Sequence, residues 1–157
     1  MRLIEEIEEN YANCIASRCR DAGCRIKLDK VCSKHILISG EKYQRWFNYN
    51  NKLCDFILFD CTGSVKYRLA VIEMKSGNVD EHDMKGIHEQ LQNGANIADQ
   101  LSSSYEVQSF IPVAVKKKGL HVMASKTLLM NDKYKVRFRS FCEMIKILKN
   151  DGSLEFT

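Results

Sequence analysis

Between Arg2 and Arg20 the apolar residues Leu3, Ile4, Ile7, Tyr11, Cys14 and Ile15 recur mostly at steps of three and four, which puts them on one face of a helix. The spacing predicts an amphipathic helix from Arg2 to about Arg20, ended by Asp21-Ala22-Gly23. Arg25 to Val31 then alternates polar and apolar residues as a half-exposed strand does, and His35 to Ser39 reads as a second short strand. From Gly40 to Lys52 the residues Tyr43, Trp46, Phe47 and Tyr49 stand among Lys42, Arg45 and Lys52 without a period. That stretch is expected to be an ordered loop or irregular strand whose aromatics cover the core edge.

Leu53 to Cys61 and Lys66 to Lys75 are β-rich runs around the short turn Thr62-Gly63-Ser64-Val65, the pattern of a hairpin. A helix follows, capped by Asp80 or Asp83 and running to about Leu101 on the stripe Met84, Ile87, Leu91, Ala95 and Ala98. Phe110 to Val115 reads as a buried strand that leads into the turn Lys116-Lys117-Lys118-Gly119. Beyond it, Leu120 to Met130 reads as a helix, and Tyr134 to Phe138 and Met144 to Leu148 as strands. No repeat or linker interrupts the order, so residues 1–157 are expected to form one α/β domain, a mixed central β-sheet flanked by helices.

Composition narrows the class. Hydrophobic residues are 45% and charged residues 28% of the 157, an ordinary globular balance rather than a disordered or fibrous one. No apolar run approaches the roughly 20 residues that span a bilayer, and the acidic start Glu5-Glu6-Ile7-Glu8-Glu9 is unlike a secretory signal. Membrane spanning and export are therefore not expected. The 7 cysteines are an odd count spread through the elements, which fits a reducing cytoplasm and buried thiols. Cys14, Cys19, Cys24 and Cys32 fit poorly to zinc spacing, and His82 and His88 have no partner at such spacing. A net charge of +4 permits a nucleic-acid partner without arguing for one.

The chemistry concentrates in the hairpin. Side chains alternate faces along a strand, so Val71, Glu73 and Lys75 share one face. If Cys61 lies opposite Tyr67, then Phe59 meets Leu69, Ile57 meets Val71, and Asp55 comes opposite Glu73. Two facing carboxylates repel, and two hard oxygen donors suit Mg²⁺ or Mn²⁺, with Lys75 at hand to orient a water.

An Asp opening an apolar strand, a tight turn, Glu73-Met74-Lys75 closing the paired strand, then Gly77 and a helix resemble the PD-(D/E)XK nuclease superfamily, the restriction-endonuclease-like fold. The motif spans Lys52 to Gly77, with Cys54 where Pro is usual. The resemblance implies that Asp55 and Glu73 bind the metal and that Lys75 assists the attacking water. It further implies a carboxylate on the first helix, best matched by Glu8, and a Gln on the helix after the hairpin, matched by Gln90 in Glu89-Gln90-Leu91-Gln92-Asn93-Gly94. The alternating Lys135, Arg137 and Arg139 resemble the late basic strand of compact nucleases and, with Lys116 and Lys117, are candidate phosphate contacts. No clustered cysteines near the C-terminus suggest an iron-sulfur centre.

The expectation is a Mg²⁺- or Mn²⁺-dependent nuclease acting on DNA rather than RNA, as a homodimer or within a larger complex, with genome defence as the analogous role. The competing reading is a catalytically silent nuclease-like module that binds nucleic acid or a protein.

Overall fold

The structure is a computed structural model that describes residues 2–21, 23–63, 66–117 and 145–156. Its centre is a five-stranded mixed sheet, built from β3 (His35–Ser39), β4 (Phe56–Thr62), β5 (Lys66–Lys75), β6 (Glu106–Lys116) and β7 (Lys146–Lys149) in that spatial order. The first two pairings are antiparallel and the last two parallel. A separate two-stranded ribbon joins β1 (Arg20–Asp21) to β2 (Cys24–Arg25). The helices are α1 (Arg2–Asn10), α2 (Gly40–Trp46) and α3 (Glu81–Leu101). The expected helix 120–130 and strand 134–138 lie outside the described residues, as do Lys118, Lys135, Arg137 and Arg139. Among the described residues no helix is long and apolar enough to cross a membrane.

The hairpin has the register that its pattern predicts. Cys61 lies opposite Tyr67, Phe59 opposite Leu69 and Ile57 opposite Val71. Alternation along β5 sends Leu69 and Val71 into one apolar cluster with the α3 stripe Met84, Ile87, Leu91, Ala95 and Ala98. Ala70, Ile72 and Met74 enter a second cluster with Cys19, Cys24, Ile26 and Leu154. The sheet is thus buried on both faces, as parallel crossovers require. Both candidate caps of α3 are used: Asp80 accepts from the Asp83 N–H at 2.8 Å and Asp83 accepts from the Asp80 N–H at 3.1 Å, a reciprocal capping box. Deep in the hairpin, Asp60 is fully buried and pairs with Arg68, whose guanidinium lies 4.6 Å from the Phe156 ring centre.

Three expectations need correction. The first helix stops at Asn10 rather than Arg20, and a 3-10 turn over Ala12–Cys14 follows it. Ile15 is extended there and bridges Ile38, while the Ala16 N–H reaches the Leu37 carbonyl at 2.8 Å. Edge pairing with β3 outcompetes another turn of helix, and the same three- and four-step spacing tucks Cys14 into the core. Arg25 to Val31 keeps its alternation, with Ile26 buried and Lys27 exposed. Only Cys24–Arg25 forms a strand there, and Lys27 makes one bridge to Ser153.

The third correction is α2, which occupies the stretch expected to be loop. Ser39 caps it by accepting from the Lys42 N–H at 3.2 Å, and Asn48, at φ 50°, turns the chain away after it. Its rings cluster as expected of core-edge aromatics: Tyr43 to Phe47 at 4.7 Å, Tyr11 to Phe47 at 5.5 Å and Tyr43 to Tyr49 at 5.9 Å between centres. Trp46 remains 60% exposed.

Two glycines let these helices approach the start of β4. A Cβ on Gly40 would overlap the Cys54 carbonyl, and one on Gly94 would overlap the Cys54 sulfur and crowd Val71. A backbone carbonyl cannot yield, so the clash at Gly40 exceeds the gain of roughly 1 kcal/mol that Ala brings to a helix. Gly40→Ala is expected to destabilise the fold by about 3 kcal/mol in urea unfolding. Gly86→Ala has only the flexible Lys52 ammonium at 3.7 Å to meet and should stabilise by up to about 1 kcal/mol.

Candidate active site

The residues ahead of β4 are bonded to α3 on one side and α2 on the other. The Cys54 N–H donates to the Gln90 carbonyl at 3.2 Å, the Gln90 amide to the Leu53 carbonyl at 3.5 Å, and the Asn93 amide to the Lys52 carbonyl at 2.6 Å. From the other side the Gly40 N–H donates to the Asp55 carbonyl at 2.8 Å. Asp55 follows outward from the last paired residues, Phe56 and Ile72. Its Oδ2 accepts the Met74 N–H at 2.7 Å, so a side chain continues the ladder where the backbone pairing stops.

That bond brings Asp55 to Glu73. Glu73 is 2% exposed, its Oε2 lies 3.2 Å from the Lys75 ammonium, and its Oε1 is buried with no hydrogen-bond partner. Burial, then the Glu73 charge, push the Asp55 carboxyl up from its ordinary 3.8 to about 8, against the Met74 N–H, which favours the anion. Burial also raises Glu73, opposed first by the Lys75 charge. A buried carboxylate and a half-buried one, with one half-exposed ammonium, therefore resist carrying two negative charges together. A proton or a further cation relieves them. Hard oxygen donors of this kind, one of them unpartnered, fit Mg²⁺ or Mn²⁺.

The other expected residues are distributed unevenly. Gln90 spends its amide on Leu53 and its carbonyl on Cys54, so it positions Asp55 through the backbone. Lys116 lies opposite Lys75, and the Lys117 N–H donates to the Lys75 carbonyl at 3.1 Å, which brings the basic turn to the same end of the sheet. Glu8 is not brought to the pair. It is exposed and lines a pocket with His35, Ile36 and Leu37, partway along β3 from the Ser39 end that adjoins Asp55. The helix that carries it packs Leu3, Ile4 and Ile7 into the core and leaves Glu8 exposed.

The acidic side chain that does come near Asp55 is Asp21, which helps to raise the Asp55 carboxyl and shares with it a cleft of about 310 Å³. Arg18, Arg20 and Lys42 line the same cleft. Read as the tail of a long helix, Ser17-Arg18-Cys19-Arg20-Asp21 hides these residues. Its one visible signal is the alternation of charged residues with Cys19, which is buried. Among the described residues no group of three or more His, Cys, Asp or Glu side chains is arranged to hold a metal. The described cysteines are free thiols, buried except for the half-buried Cys32.

Comparison with family models, curated proteins and solved structures finds no significant match to the chain.

Both carboxyls are more basic in the folded chain than in the unfolded one, so the folded state holds protons that the unfolded state has already released. Their contribution is fully present below the ordinary carboxylate range and is lost as pH rises through their raised folded values, about 8 for Asp55. With chelator present, the melting temperature of the wild type should fall by several degrees between about pH 5 and about pH 8. Asp55→Asn should flatten that fall, and parallel profiles for the two proteins would contradict the assignment.

Proposed function

We propose that the chain is a metal-dependent nuclease of restriction-endonuclease-like architecture that hydrolyses phosphodiester bonds in DNA. The observation that carries this reading is the buried, unpartnered Oε1 of Glu73 beside the Asp55 carboxylate, with Lys75 at the other oxygen. A buried oxygen without a partner costs about 1–3 kcal/mol, more when charged, and a site retains it where a ligand completes it.

Asp55 and Glu73 would hold Mg²⁺ or Mn²⁺, which when bound acidifies water and polarises a phosphoryl oxygen. The chain's own groups do the rest. The Met74 N–H and the Gly40 N–H fix both ends of Asp55, so its other carboxylate oxygen has one direction to present. The Lys75 ammonium is half-exposed and anchored at 3.2 Å to Glu73, with donors left over for a water or a phosphate oxygen. Arg18, Arg20 and Lys42 supply positive charge along the cleft that leads to Asp55. The order of elements, a hairpin with Asp and Glu-x-Lys followed by α3 and a parallel β6, supports the same reading.

Wild-type protein is expected to nick supercoiled plasmid or cut single-stranded DNA with Mg²⁺ or Mn²⁺ and not with EDTA. Glu73→Ala and Lys75→Ala should each lower the rate by about a hundredfold or more. Wild type that stays inert under all these conditions while still binding DNA would instead favour the silent-module reading.

A further inference from the structure

A second depression adjoins the Asp55 cleft. It is a groove of about 390 Å³ on the outer side of the ribbon, rimmed by Arg18, Arg20 and Lys27 and floored by Cys19, Ile26 and Leu28. Ser17, Arg18 and Arg20 line both depressions, so the groove leads directly into the cleft that holds Asp55. Ser17 and His35 also belong to the lining. No carboxylate lines the groove, and Arg18, Arg20 and Lys27 have no ion-pair partner among the described residues. Arg25, at the same rim, is already paired with Asp151.

We infer that this groove seats a single strand of nucleic acid, with its phosphates on Arg18, Arg20 and Lys27 and a base face on the apolar floor, and delivers it to Asp55 and Glu73. Three cations on one groove, without a salt bridge among the described residues, call for a polyanion rather than an isolated acid. The apolar floor separates one strand from two. A duplex keeps its base faces inside the stack and offers only its edges, whereas an unpaired strand offers the faces themselves. The half-exposed Leu28 is the accessible part of that floor, Cys19 and Ile26 being buried, and Arg18 and Arg20 stand exposed in the same lining.

What the strand is delivered to rests on the nuclease reading, but its binding is measurable without cleavage. Fluorescence anisotropy of a labelled oligo(dT) of about twenty nucleotides, titrated with full-length protein in EDTA, isolates the groove. Wild type should bind the oligonucleotide more tightly than a duplex of equal length, and the log-log salt slope should be about −2 for three phosphates on a single strand. Arg18→Ala/Arg20→Ala should weaken binding at least about tenfold and flatten the slope by about 1.4, with an unchanged melting temperature because both side chains are exposed. Glu73→Ala should bind as wild type does. Equal affinity of the double variant and wild type, preference for duplex, or no binding by wild type would each overturn the inference. Strand binding without any metal-dependent cutting would leave the groove standing and remove the nuclease reading. Cutting with unaltered binding by the double variant would do the reverse.

Discussion

Four residues of backbone, Lys52 to Asp55, are held between two helices that are far apart in sequence, and the geometry of the carboxylates follows from that grip. On one side α3 takes the Lys52, Leu53 and Cys54 backbone through Asn93 and Gln90, and on the other α2 takes the Asp55 carbonyl through Gly40. Glycines stand at both contacts because any Cβ would strike Cys54. With main chain fixed to main chain at these distances, the Asp55 side chain has little choice but the Met74 N–H. Rigid positioning of this kind is what a chemical site requires of its carboxylates.

The electrostatic tension follows from the same packing. Glu73 lies on the face of β5 that also buries Leu69 and Val71 under α3, and its charge is moderated first by Lys75 and then by Asp55. Asp60, equally buried in the same hairpin, is fully compensated by Arg68 and by the Cys32 N–H at 3.1 Å. The contrast is informative. One buried carboxylate of the hairpin is satisfied as a structural group is, and the other keeps an oxygen with no protein partner.

The hairpin was legible because its signals are local: alternation fixes the faces, the short Gly63 turn fixes the register, and Asp55 and Glu73 follow by counting. The α3 stripe and its cap were legible for the same reason. What was not legible depends on distant partners. The start of α2 combines the local Ser39 cap with a Gly40 that exists for contact with Cys54, and its aromatics cluster with Tyr11 from another segment. The three-and-four spacing from Tyr11 to Ile15 is ambiguous between a continuing helix and a turn that docks on β3, and only the open edge of β3 decides it. That one decision also places Asp21, and not Glu8, in the lining of the Asp55 cleft.

The break after Asn10 also sets how the chain tolerates length changes. Beyond it, Ile15 is registered against Ile38, and from there to Asp21 the chain buries Cys19 and exposes Arg18 and Arg20. The chain bends at Ser17 and Arg18 and is registered again at the ribbon, where Arg20 pairs with Arg25 and the Cys19 carbonyl accepts the Ile26 N–H. Within the ribbon, one residue more or less would exchange the buried Cys19 with an exposed guanidinium. Spacing in this short connection is therefore under tighter constraint than the identity of most residues in it, although in sequence it has the look of an ordinary helix end.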